Sequence, residues 1–301
     1  MKKKHRTGLV AILGRPNAGK STLLNALVGS KVAIVAPKPQ TTRAAVQGVL
    51  TLPDAQIVFV DTPGIHRSNT LLNQRMMKEV RAAADSPDVV LFLVDTLAPP
   101  SEEDAQAVDL VKKARVPAIA VFNKIDRLTD KTKLLTLIER YRALHDFAEF
   151  IPISAQKGEG LDVLREQIVQ RLPEGPALFP PDYLTDQPER FLAAEVLREK
   201  ILLATREEVP HAVAVVIEKW EDTPKLVRIA ASIYVEKSGQ KAILIGAGGT
   251  LLKKIGTQAR LELERLLERK VFLQTLVKVK PNWREDPQFL SAVDWRSMAG
   301  V

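Results

Sequence analysis

Gly14-Arg15-Pro16-Asn17-Ala18-Gly19-Lys20-Ser21 is the stretch that decides the fold of this 301-residue chain. It has the spacing G-x-x-x-x-G-K-[ST]. It follows a continuous apolar run, Gly8-Leu9-Val10-Ala11-Ile12-Leu13, and opens a helical segment, Ser21 to Gly29, that closes on a glycine. A run apolar throughout is the pattern of a strand buried on both faces. Strand, glycine-rich turn, helix is the context in which this motif cradles phosphate. The glycines let backbone N–H groups turn toward an anion, and the helix N-terminus adds its dipole. Lys20 would reach the β- and γ-phosphates and the Ser21 hydroxyl would ligate Mg²⁺. Gly14, Asn17, Ala18, Gly19 and Thr22 complete the candidate nucleotide loop.

Four more buried-strand signals follow: Ala55–Val60, Asp88–Val94, Pro117–Phe122 and Phe150–Ile153. Helical patterns lie between and after them, at Leu71–Ala84, Ser101–Ala114, Lys131–Leu144 and Gly160–Leu172. Such alternation predicts a mostly parallel sheet with helices on both faces. Three short motifs fall at strand ends, on the edge where open α/β sheets bind ligands. Asp61-Thr62-Pro63-Gly64 ends the second strand. Asp61 can meet Mg²⁺, through a water or directly, and the Gly64 N–H can sense a γ-phosphate. Asn123-Lys124-Ile125-Asp126 ends the fourth. A carboxylate at Asp126 can accept from guanine N1–H and the 2-amino group, and adenine offers no such pair of donors. The expected discrimination comes from leaving a buried charge unpaired. Ser154-Ala155-Gln156-Lys157 follows the fifth strand, where a backbone N–H would meet guanine O6.

Pro173 to Pro188 breaks the pattern with five prolines in sixteen residues. It reads as a stiff, extended linker and a domain boundary. Beyond it the order is helix (Arg190–Glu208), strand (Ala212–Lys219), strand (Leu226–Val235), short helix, glycine loop, helix (Thr250–Glu268) and strand (Val271–Val279). The loop, Gly246-Ala247-Gly248-Gly249 after Ile245, fits G-x-x-G. That spacing alone is common, but this element order resembles a type II KH domain, whose loop brings backbone close to single-stranded nucleic acid. Lys237, Lys241, Lys253, Lys254 and Arg260 surround it, and residues 237–280 hold ten Lys/Arg against three Glu. The candidate RNA-contacting set is Lys237, Lys241, Ile245, Gly246, Ala247, Gly248, Gly249, Lys253 and Lys254. Residues 281–301 show no clear periodicity and read as a tail. Trp220, Trp283 and Trp295 read as packing anchors.

Composition sets the outer limits. The 46% hydrophobic and 27% charged residues are ordinary for a globular chain, and the length suggests about two domains. No apolar run nears the roughly 20 residues that span a bilayer, and Leu9–Leu13 is too short for a signal-peptide core. There are no cysteines, which excludes disulfides, thiol catalysis and Cys-ligated metals, and suits a cytoplasmic protein. The net charge of +8 favours anionic partners: nucleic acid, nucleotides or an acidic membrane surface. The Lys2–Arg6 cluster reads as a mobile basic tail, with RNA or anionic lipid as its other candidate partners. The four histidines show no metal-ligand spacing, and His66 is assigned no catalytic role.

The four motifs resemble those of the translation-factor-like GTPases. With a single such domain followed by a type II KH domain, the chain resembles the Era family over roughly Gly8 to Lys280. The double-domain ribosome GTPases carry two phosphate loops and this chain has one. The related tRNA-modification GTPases end in a cysteine motif, absent here. The resemblance implies an α/β, Ras-like P-loop domain over 1–172, a linker over 173–189, an α+β KH domain over 190–280 and a tail over 281–301. It implies a switch threonine among Pro39-Gln40-Thr41-Thr42-Arg43, with Thr42 favoured as the metal ligand. Lys20, Asn17, Thr42 and Gly64 are then the catalytic candidates, and Ser21, Thr42 and Asp61 the metal set. One departure from Ras-like members is Ile65, where a water-orienting glutamine stands. The branch with an apolar residue there often uses K⁺, ligated by a phosphate-loop asparagine, and Asn17 matches. The resemblance further implies GTP and GDP as ligands, GTP hydrolysis, and binding of the small-subunit (16S) ribosomal RNA 3′ end in maturation of the small ribosomal subunit. In some members it implies peripheral contact with the inner face of the cell membrane. A monomer is expected. Two other readings stand beside it: an RNA chaperone with incidental GTP turnover, and a membrane-associated signalling GTPase whose KH-like domain binds protein.

Overall fold

A computed structural model describes residues 4–64 and 70–294. The chain divides into two compact units. One gathers Met1–Ala33, Thr42–Ser68 and Asn73–Asp186; the other gathers Ile34–Thr41, Asn69–Leu72 and Gln187–Val301.

The first unit is built on strands β1 (Arg6–Leu13), β2 (Val46–Leu52), β3 (Ala55–Asp61), β4 (Val89–Asp95), β5 (Ala118–Asn123) and β6 (Glu149–Pro152). Their order is β2-β3-β1-β4-β5-β6. All neighbours are parallel except β2, which runs antiparallel to β3. The apolar runs are continuous because both faces are covered. In β1, Val10 and Ile12 pack with α1 (Lys20–Val28) and α5 (Leu161–Arg171). The alternate residues Ala11 and Leu13 pack with α2 (Leu71–Asp85), α3 (Glu102–Ala114) and α4 (Thr132–Arg142). Each fully buried Leu, Ile, Val or Phe contributes about 1.5–3 kcal/mol relative to exposure. This is the Ras-like arrangement expected of the motifs.

β2 has no counterpart among the strands read from sequence. Its run, Val46-Gln47-Gly48-Val49-Leu50-Thr51-Leu52, mixes polar residues and a glycine, and as an edge strand it needs little apolar signature. The proline-rich segment also differs from an extended spacer. Through Asp186 it belongs with the first unit. Thr7 N–H donates to Pro173 O (3.1 Å), and Val49 N–H of edge strand β2 donates to Leu184 O (2.9 Å). The buried Gln56 side chain accepts from Leu178 and Phe179 N–H and donates to Phe179 O, at 2.7–2.9 Å. Proline-rich backbone stays extended, and an extended backbone can satisfy the groups an edge strand leaves open. The N-terminal basic cluster is likewise tied down where it is described. Lys4 pairs with Glu174 (2.8 Å), and Arg6, the first residue of β1, donates to Gln170 O and Leu172 O. Lys2 and Lys3 lie outside the described residues.

The second unit runs α6 (Glu189–Ala204), β7 (Ala214–Asp222), β8 (Leu226–Val235), α7 (Ser238–Ile245), α8 (Thr250–Leu267) and β9 (Lys270–Val279). Its sheet is β7-β8-β9, antiparallel then parallel. α6 stops at Ala204 rather than Glu208, because Thr205 turns extended and its hydroxyl bonds back to Ile201 O at 2.7 Å. One core joins α6 (Leu197, Ile201), α8 (Ile255, Ala259, Leu263) and the strands. Residues 281–292 are part of this unit and not a loose tail. Trp283 is 1% exposed, its indole N–H donates to Ala212 O (2.8 Å), and Phe289 of α9 (Pro287–Ala292) packs edge-on against it. Trp295 lies outside the described residues. Among the described residues no helix is long and apolar enough to cross a membrane.

Candidate functional site

The phosphate loop leaves β1 at Leu13 and enters α1 at Lys20. Gly19 takes φ +100°, and a Cβ there would lie 2.4 Å from Asn123 Nδ2. Only glycine combines that backbone with that neighbour. Asn123 bridges two loops: its amide donates to Ala18 O (2.9 Å) and accepts from Ala155 N–H (3.0 Å). The base-binding motifs are thereby fastened to the phosphate loop. Gly14, Ala18, Ser154 and Ala155 are buried, Thr22 is half-buried on α1, and Gln156 is exposed. Gly64 lies against Pro16.

Lys20 is buried, and its ammonium donates to Gly14 O and Arg15 O, each at 3.0 Å. Burial pushes its pKa down to about 8, with Asp61 opposing the shift. Asp61 is pushed up to about 6 by burial, against Lys20 and the hydroxyls of Ser21 and Thr42. Ser21 donates to Asp61 Oδ2 (2.6 Å), and the Thr42 hydroxyl lies 2.8 Å from that of Ser21 and 3.4 Å from the same Asp61 oxygen. Asp61 Oδ1 is buried without a hydrogen-bond partner. Two hydroxyls and a carboxylate with one unsatisfied oxygen form an all-oxygen donor set, which fits a hard cation such as Mg²⁺.

Of the two switch threonines, Thr42 reaches this cluster. Thr41 instead donates to Ala36 O and Lys38 O, and its carbonyl accepts from the buried Arg198 of α6, within the second unit. Asp126 is exposed and accepts from Ser154 Oγ at 2.6 Å. The expected buried charge is therefore not built in: base stacking over the loop has to supply the burial. Asn17 is exposed, at φ +61°. Ile65 and His66 lie outside the described residues.

The glycine loop of the second unit has a different character. Gly246 takes φ +74°, and a Cβ there would stand 2.8 Å from Leu251 Cβ. Gly248 (φ +59°) and Gly249 (φ +80°) face open space. Beside the loop a groove is lined by Gly249, Leu252, Lys253, Gly256, Thr257 and Arg260 on one wall and by Leu273 and Thr275 of β9 on the other. Lys254 follows on the same helix, while Lys237 caps α7 and Lys241 sits within it. Ile245 ends α7 and packs on the core.

The comparisons match these two sites. The chain fits the model of the 50S ribosome-binding GTPase family over residues 9–124 and that of the KH domain over 208–284. GTPase Era of Geobacter metallireducens is 47% identical over 292 residues, covering 96% of this chain and 98% of that one. The Era of Ruminiclostridium cellulolyticum is 44% identical over 294 residues, covering 97% and 98%. The chain belongs to the Era family of GTPases. It is a GTP hydrolase with a Ras-like domain and a C-terminal KH domain. Two solved Era structures superpose over nearly the whole length. A variant of Aquifex aeolicus Era bound to GDP·AlF₄⁻ gives TM-score 0.91 at 43% identity, covering 96% of this chain and 99% of that one. Era in complex with MgGDPNP and nucleotides 1506–1542 of 16S ribosomal RNA gives 0.92 at 42% identity, covering 97% and 99%.

Sequence reasoning missed several residues that the Era fold brings to these sites. Asp95, at the end of β4, receives the Lys124 ammonium at 2.8 Å. Its place on the ligand-binding edge was the available signal. Leu252, Gly256, Leu273 and Thr275 of the groove belong to no motif, because β9 and α8 meet only in three dimensions.

Proposed function

We propose that this Era-family GTPase is a nucleotide-driven switch that binds the 3′ end of small-subunit ribosomal RNA and acts in maturation of that subunit. The observation that carries the reading is the pairing, in one chain, of a complete phosphate and guanine edge with a KH groove. An Era of known structure is in complex with MgGDPNP and nucleotides 1506–1542 of 16S ribosomal RNA. The proposed domains are a G domain over 1–172 with the proline-rich segment bonded along it as far as Asp186, and a KH domain over 190–280 whose unit also takes in residues 281–292.

The geometry supports the following roles. Backbone N–H groups from Gly14 to Thr22 receive the phosphates. Lys20, already held between two carbonyls, turns its ammonium to the β- and γ-oxygens. Ser21, Thr42 and Asp61 hold Mg²⁺, which when bound neutralises charge on the phosphates. Gly64 N–H reads the γ-phosphate, and Asn123, Lys124, Asp126 and the Ser154–Gln156 turn read the base. Asn17, exposed in the phosphate loop, is the proposed ligand for K⁺ as an activator. GTP orders the loops around Thr42 and Gly64, and in-line attack by water ends that state. By linkage, RNA tightens GTP binding as much as GTP tightens RNA binding. The RNA lies along Gly246–Gly249 and the basic face of α8, with Lys237, Lys241, Lys253 and Lys254 meeting phosphates. The protein acts as a cytoplasmic monomer with peripheral contact at the inner face of the cell membrane.

The test is GTP turnover in K⁺ buffer with and without an oligonucleotide of the small-subunit rRNA 3′ end, with ATP as competitor. Stimulation of GTP turnover by that RNA, with ATP ignored, is expected. Turnover indifferent to the RNA would move the protein-binding reading ahead.

A further inference from the structure

The nucleotide edge carries a chain of ion pairs that joins two residues of the motifs, Arg15 and Lys124, to two outside them, Asp95 and Asp104. Arg15, the second residue of the phosphate loop, has a side chain only 10% exposed. It donates to Pro99 O (2.9 Å) and Asp104 Oδ2 (3.2 Å), and lies 3.8 Å from Asp95 Oδ2. Asp104 is itself fixed: Ser101 N–H and Oγ both donate to its Oδ2 at 2.9 Å, in the capping box that starts α3. Asp95 accepts from Leu97 N–H with one oxygen and from the Lys124 ammonium with the other. That ammonium also donates to Asn17 O at 2.7 Å. The result is two cations and two carboxylates in alternation, running from α3 through the phosphate loop to the base-reading loop. Each charge in the row faces an opposite one, the arrangement that groups withdrawn from water require.

We infer that Asp95, anchored through Arg15 to Asp104, is a positioning residue for the bound nucleotide, acting through Lys124. Lys124 sits at φ +73°, where a non-glycine residue is strained. Its ammonium is held by Asp95 at one side and by the phosphate loop at the other. The two grips fix the four-carbon stem between them, two residues before Asp126. An unanchored lysine would have to be ordered each time nucleotide binds, at a cost in rotamer entropy. Asp95 thus removes a cost of binding rather than adding a contact to the γ-phosphate. The effect therefore falls on GDP and GTP alike, and on affinity rather than on the chemical step. Lys20 meets this set at the Arg15 carbonyl (3.0 Å) and not at a side chain, and Thr42 bonds instead to Ser21 and Asp61.

The inference rests on the guanine-nucleotide reading, and wild-type binding checks that reading separately. Fluorescent GDP release and steady-state GTP turnover are measured on the full chain for wild type, Asp95→Asn, Lys124→Ala and the double variant. Asp95→Asn keeps the size and the Leu97 contact and removes only the charge. It should speed GDP release about tenfold and raise KM for GTP about as much, with kcat changed less than twofold. In the Lys124→Ala background the same change should add almost nothing, because its effect passes through Lys124. Arg15→Gln should shift release in the same direction, with Arg15→Lys recovering part of the loss. GDP release unchanged in Asp95→Asn, effects additive with Lys124→Ala, or a kcat loss matching the KM change would each overturn the inference. Wild type that fails to bind GDP would overturn the nucleotide reading instead.

Discussion

The nucleotide edge and the glycine loop are both glycine-bearing turns that open a helix, yet they are built in opposite ways. At the first, the polar groups are buried and already paired with one another: Lys20 with two carbonyls, Ser21 with Asp61, Asn123 with Ala18 and Ala155. At the second, Gly248 and Gly249 face open space, and Lys237, Lys253 and Lys254 around them are exposed. A preorganised site reads one small ligand atom by atom and loses much when one atom is wrong. An open, basic surface accepts a flexible polymer and spreads its affinity over many weak, salt-sensitive contacts. Single substitutions should therefore cost more at the first site than at the second.

Asp126→Asn is the largest expected break. The amide donates where the carboxylate accepted from guanine, so GTP affinity should fall about a hundredfold or more. Xanthine carries an oxygen in place of the 2-amino group, so XTP should recover much of that loss. Titration of both nucleotides against both forms checks it. A small loss for GTP with no gain for XTP would mean that the exposed Asp126 does not read the base. The two sites would then differ less than their burial suggests.

Gly248→Asp is the smaller test at the other site. Aspartate tolerates positive φ better than most residues and meets no protein atom there, so the fold should survive. Its charge stands where phosphate would lie. RNA affinity should fall about tenfold, measured by titration at several salt concentrations, and RNA stimulation of turnover should fall with it. An unchanged affinity would show that the groove beside Lys253 and Arg260 is not the RNA track.

The contrast also explains what could be read from the sequence. The nucleotide edge was legible because its chemistry demands particular residues at fixed spacing, from Gly14 to Ser21 and at Asp61, Asn123 and Ser154. The strands beneath were legible because burial on both faces makes them apolar throughout. β2 was not, since an edge strand closed by Leu184 and Thr185 needs no apolar run. Nor was the packing of Trp283, whose partner Ala212 lies 71 residues away. The Arg15–Asp95 pairing escaped for a related reason: a buried ion pair is a property of two distant loops, and neither residue stands at a position that a motif specifies. The second site was legible only as an order of elements and a cluster of charge. Its groove walls are set by how α8 packs beside β9, which no local pattern encodes.

Asn17 is the point where the first site resembles the second, and it carries the smallest expected effect. In a loop otherwise buried or half-buried, it is exposed and at positive φ, with its carbonyl engaged by Lys124. Such a side chain adds little to a preorganised cradle by itself. It suits a loosely held monovalent cation that would add positive charge as the phosphoryl group transfers. Turnover in K⁺ should then exceed turnover in Na⁺ several-fold, because the larger ion is held at the longer distances a flexible amide allows. Asn17→Ala should erase that difference while leaving the Na⁺ rate nearly unchanged. Equal rates in the two salts would make Asn17 a turn residue chosen for its backbone alone, and charge stabilisation would then fall wholly to Lys20 and to the Mg²⁺ proposed at Ser21, Thr42 and Asp61.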